Sequence, residues 1–64
     1  MAIEESVTIE YKDDVSNDDA CIIIRQNPNG LTICLSLKSN GDLETSMSRQ
    51  TARDLIAAIS RTID

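Results

Sequence analysis

Between residues 31 and 38 the chain alternates without a break. Leu31, Ile33, Leu35 and Leu37 fall on one side, and Thr32, Cys34, Ser36 and Lys38 on the other. A period of two over eight residues describes a half-buried β-strand and leaves little room for any other structure. Ser39-Asn40-Gly41 follows as a turn, and residues 42–47 read as a second strand. Ser48 then stands where a helix N-cap is wanted, with Met47 before it as a hydrophobic staple. Residues 49–62 read as the helix. Ala52, Leu55, Ile56, Ile59 and Ile63 form one stripe of a 3.6-residue period, with Gln50, Ala57 and Arg61 opposite.

The first half completes a sheet. Residues 6–11 alternate Val7, Ile9 and Tyr11 against Thr8 and Glu10, which predicts a strand. Residues 12–19 are a polar, aspartate-rich loop, and residues 20–26 form a strand ending at the turn Asn27-Pro28-Asn29-Gly30. Register follows from the pattern, because a one-residue slip exchanges the two faces. A four-residue loop at 27–30 pairs Ile24 with Ile33, Ile22 with Leu35 and Ala20 with Leu37. A three-residue loop at 39–41 pairs Leu37 with Leu43 and Ile33 with Met47, with Gly41 at positive φ as a bulge residue.

The order ββββα predicts one α+β domain over residues 1–64: an antiparallel four-stranded meander followed by an amphipathic helix packed on one face. Leu35, Ile56 and Ile59 are the expected core where helix meets sheet. The second face is then uncovered, and it carries Cys21, Ile23, Cys34 and Ser36 beside Thr8, with Arg25 and Lys38 at its side. That cluster is the candidate interface. A 64-residue chain buries only about 60% of its unfolded surface, and its single aromatic is Tyr11. A homodimer that buries the second face is therefore expected.

Composition removes most chemistry. There is no histidine. Two cysteines make neither a disulfide framework nor a metal site, and Cys21 and Cys34 lack a base that would generate a thiolate. The aspartate loop lacks the spacing of a calcium-binding helix–loop–helix. No carboxylate pair has a context that raises its pKa. The expectation is no enzyme, no metal and no cofactor. Residues 1–5 contain no apolar signal segment, and the longest apolar run, residues 20–24, is far too short for a membrane span. A cytoplasmic, reducing setting with free thiols is expected.

The net charge of −5 is unevenly placed. Residues 1–19 carry Glu4, Glu5, Glu10, Asp13, Asp14, Asp18 and Asp19 against Lys12 alone. Such a segment repels a phosphate backbone, and a sheet without stacking aromatics is no single-strand platform, so no direct nucleic-acid binding is expected. Arg49 and Arg53 stand at the start of the helix, where the macrodipole disfavours cations. With Arg25 or Lys38 nearby they would suit an anion or a partner's carboxylate. The junction Met47-Ser48-Arg49-Gln50-Thr51-Ala52-Arg53 resembles strand-to-helix junctions of many small bacterial and phage proteins. The sequence thus predicts a small non-enzymatic interaction or regulatory module of that type, a homodimer with a possible further protein partner. Two alternatives stand beside it: an acidic decoy for a basic nucleic-acid-binding surface, and an anionic-ligand binder using Arg49 and Arg53.

Overall fold

A computed structural model describes residues 6–64. Four strands, β1 (Ser6–Lys12), β2 (Asp19–Asn27), β3 (Gly30–Leu37) and β4 (Gly41–Ser48), form one antiparallel sheet in the order β1-β2-β3-β4. Helix α1 (Arg49–Ile63) follows β4 directly and packs against β3 and β4. The architecture is α+β, ββββα.

The β2–β3 register is the expected one: Ala20 faces Leu37, Ile22 faces Leu35 and Ile24 faces Ile33, and the ladder continues to Asn27 and Gly30. In β1–β2, Val7 faces Ile24, Ile9 faces Ile22 and Tyr11 faces Ala20. The β3–β4 register differs from expectation by two residues. Leu43 lies opposite Leu35, not Leu37, and Met47 opposite Leu31, not Ile33. The reason lies in the turn. The Asn40 N–H donates to the Leu37 carbonyl at 3.1 Å, which closes the turn one step earlier, and Gly41 pairs with Leu37 as the first residue of β4. Gly41 does adopt a positive φ, +82°. A shift of two keeps every side chain on its assigned face.

The helix starts as the sequence requires. Ser48 is extended and its Oγ accepts the Thr51 N–H at 3.1 Å, satisfying one of the four unpaired donors of the first turn. Gly30 sits where β3 passes the end of β4. A Cβ there would run into the Met47 carbonyl oxygen and the Ser48 backbone. This close approach sets where β4 ends and α1 begins.

The core expected from the sequence is not where it forms. Ala20 and Ala52 are the buried apolar side chains among the described residues. Leu35 is 46% exposed, Ile56 65% and Ile59 50%. Burial on the helix is concentrated at Ala52 in its first turn, while Leu55, Ile56, Ile59 and Ile63 remain open. The helix stripe and the apolar sheet face both exist as expected, but within one chain they cover each other only at the helix root.

The two glycines separate two kinds of constraint. Gly30→Ala is expected to cost about 1–3 kcal/mol through overpacking against backbone that cannot rotate away. Gly41→Val meets no neighbouring atom, and its cost, above about 1 kcal/mol, is conformational. Urea unfolding of both variants measures this. An unchanged midpoint for Gly30→Ala would rule out the close approach to Met47.

Candidate interaction site

The sheet divides its residue types by face with unusual strictness. One face carries Val7, Ile9, Tyr11, Ala20, Ile22, Ile24, Gln26, Leu31, Ile33, Leu35, Leu37, Leu43, Thr45 and Met47, as the alternation and register dictate. No charged residue of the strands falls on it. The other face takes all of them: Glu10, Lys12, Asp19, Arg25, Asp42 and Glu44.

The charged face satisfies itself. Arg25 Nη2 donates to Glu44 Oε2 at 3.1 Å, across the intervening β3. Asn27 Nδ2 donates to Thr32 Oγ1 at 3.0 Å, and Thr32 and Ser46 share a hydrogen bond of 2.9 Å. Ser36 Oγ donates to Asp42 Oδ1. Lys12 pairs with Asp19 at the β1–β2 edge and holds that carboxyl below its usual range, by hydrogen bond first and by charge second. Within this frame the structure brings together the sequence-predicted cluster. Ile23 lies between Thr8 and Cys34, and Cys21 between Glu10 and Ser36. Cys21, Ile23, Cys34 and Ser36 are each half-buried, and both thiols are free. A shallow hollow of about 330 Å³ opens beside them, lined by Thr8, Glu10, Asp19, Cys21, Ser36 and Lys38. It mixes both signs of charge and presents no convergent set of donors.

The apolar face is less settled. Its half nearer the helix root, at Leu31, Ile33 and Met47, is half-buried. Its far half is open: Ile9, Tyr11, Leu35 and Leu43 are all exposed, Leu43 to 67%. A hollow of about 310 Å³ lies there, lined chiefly by Tyr11, Leu35, Leu37, Gly41 and Leu43. Leu55, Ile56, Ile59 and Ile63 of the helix are exposed as well.

The expected anion site does not gather the cations proposed for it. Arg49 lines a hollow with Val7, Ile24, Gln26, Gly30 and Leu31, which contains no second cation. Arg25 is on the opposite face and engaged by Glu44. Lys38 is in the β3–β4 turn, at the far end of the sheet from the helix root. Arg53 follows Arg49 by one helical turn.

Three acids of the first segment, Asp13, Asp18 and Asp19, have separate local tasks. Asp13 Oδ1 accepts the N–H groups of Val15 at 2.8 Å and Ser16 at 3.1 Å, which lowers its pKa and shapes the β1–β2 loop. The loop turns back at Asn17, with φ of 63°. Asp18 accepts from the backbone and side chain of Ser39, and the Lys38 N–H donates to the Asp19 carbonyl at 3.0 Å. These contacts tie the two turns at the far end of the sheet together, a role that aspartate enrichment did not specify. Glu4 and Glu5 lie outside the described residues.

Among the described residues no three His, Cys, Asp or Glu side chains gather as a metal-holding group, and no helix is long and apolar enough to cross a membrane. No protein-family model, curated protein or solved structure matches the chain.

Asp13 and Asp19 both have depressed pKa values in the folded chain. Their contribution to stability is therefore complete above the ordinary value of 3.8 and is lost as pH falls through the lower folded values. Thermal unfolding below pH 3.8 should show the wild type losing stability more steeply than Asp13→Ala, which has already lost the loop anchor. Parallel pH profiles would contradict that role for Asp13.

Proposed function

We propose that this chain is a small non-enzymatic interaction module, regulatory or accessory in kind and of bacterial or phage type, and that it acts as a homodimer. One observation carries the reading. A charge-free sheet face and an apolar helix stripe are both open in the single chain, while every strand charge is confined to the other face. Contiguous exposed apolar surface on a soluble chain marks a place where another protein sits.

A polar face whose hydrogen bonds close internally supports the same assignment. It is suited to meet water or a further partner without needing cover. Chemistry is not required by any feature of it: its carboxylates serve ion pairs and turns, and its two thiols stand free in a sheet. Free thiols also support a reducing, cytoplasmic setting. The reading needs no cofactor, no metal and no nucleic acid.

Sedimentation velocity tests it directly. The chain is expected to sediment with twice its own mass at micromolar concentration. Its melting temperature should rise when protein concentration is raised tenfold, because association stabilises only the folded form. A monomer with a concentration-independent melting temperature would remove the proposal.

A further inference from the structure

We infer that the homodimer is formed by reciprocal exchange of helix contacts, the α1 stripe of each copy lying on the apolar sheet face of the other. This rests on the dimeric reading above and assigns its interface. The seam lies on the sheet face opposite Cys21, Ile23, Cys34 and Ser36.

The first argument is complementarity. A helix packed on a sheet requires an apolar stripe and an apolar face. This chain displays both, unfilled: Leu55, Ile56, Ile59 and Ile63 on the helix, Tyr11, Leu35 and Leu43 on the far half of the sheet. A foreign partner would have to supply a sheet for the helix and a helix for the sheet. A second copy supplies both at once, and a twofold axis makes the two contacts identical.

Area is the second argument. The chain exposes 5349 Å². A folded monomer of this mass exposes about 4,000 Å². The excess is about 1,300 Å². A stable interface takes about 800 Å² from each partner. The surplus is therefore large enough to form one half of such an interface.

Length agrees as well. The 15-residue helix is about 22 Å long and an eight-residue strand about 26 Å. The partner's stripe can therefore run from the helix root to the Tyr11–Leu43 hollow. Arg49 and Arg53 stand in the first turns of the helix, and Arg49 lines a hollow with Val7, Ile24 and Leu31 at the root, so the seam lies beyond them, along Leu55, Ile56, Ile59 and Ile63. On the other face, Arg25–Glu44 and the Asn27–Thr32–Ser46 chain would have to be stripped of water to form a seam, with less apolar area gained.

Three single substitutions and one crosslinking experiment test the assignment. Leu43→Lys and Ile56→Lys are expected to raise the dimer dissociation constant by roughly 100-fold or more, since each change is repeated at both halves of the seam. Thr8→Lys, on the polar face directly opposite Ile23, should leave it within a fewfold of wild type. For variants that fold poorly, crosslinking substitutes. Chains carrying Leu43→Cys and chains carrying Ile56→Cys, both with Cys21→Ser and Cys34→Ser, are mixed and treated with a short bis-maleimide. The mixed species, Leu43 position to Ile56 position, should exceed either self-linked product.

A dimer broken by Thr8→Lys but not by Leu43→Lys would overturn the assignment in favour of the polar face. Crosslinks confined to Ile56 positions would overturn it in favour of a helix–helix seam. A wild-type monomer would instead defeat the homodimeric reading itself, which separates the two failures.

Discussion

Everything in this molecule depends on the segregation of charge between the two faces of one antiparallel sheet. Six charged strand residues point one way and none points the other. Period-two geometry enforces the division, because adjacent side chains must leave opposite faces. Once the strands pair in register, the chain has created an apolar surface that water will not tolerate at full extent. It has also created a polar surface that closes its own hydrogen bonds. The single helix is the only other element available to cover the first, and within one chain it buries chiefly Ala52 against it.

The path from residues to strands was legible because each step was over-determined. Val7, Ile9, Ile22, Ile24, Ile33 and Leu35 keep their parity under any hairpin loop that leaves apolar opposite apolar, and the faces came out as expected. Ser48 was legible as a cap, since a hydroxyl next to an amphipathic run has few other uses. Gly41 was legible as a positive-φ residue. The β3–β4 pairing was legible only modulo two. Leu43 opposite Leu35 and Leu43 opposite Leu37 satisfy the pattern equally, and the choice is made by the Leu37–Asn40 turn and by the contact of Gly30 with Met47.

What the sequence did not reveal is where the pattern is satisfied. Ile56 and Ile59 on a stripe predict burial, and Leu35 on an apolar face predicts burial, but neither prediction names the chain that does the burying. Helix-on-sheet complementarity is the same within a chain as between two copies. Only the path of the backbone decides. Here α1 begins immediately after β4 with no connecting loop, and it meets only β3 and β4 of its own sheet. The same limit explains the candidate site. Cys21, Ile23, Cys34 and Ser36 do meet on one face, as alternation requires. Their half-burial, however, is reached inside a single sheet, by neighbours such as Thr8 and Thr32 and by the ion pair above them.

The composition makes sense in that light. A core of Ile, Leu, Val and Met has a single tyrosine as its only aromatic, and a 64-residue chain buries a modest fraction of its surface on its own. Two such chains sharing one interior double the number of buried side chains without adding a residue to either. In the proposed dimer, folding and association would be a single equilibrium. The charge pattern would serve the proposed dimer from the outside: a net charge of −5 per chain opposes further association, while the strands contribute no charge to the apolar sheet face. Three of the acids that looked like a binding surface in the sequence serve turn and edge chemistry. Asp13 holds one loop, Asp18 holds the neighbouring turn, and Asp19 is held by Lys12. Three of the acids are thus part of the scaffold, and the residues that most resembled a core, Leu35, Ile56 and Ile59, are exposed in the single chain and form the surface assigned to the proposed dimer.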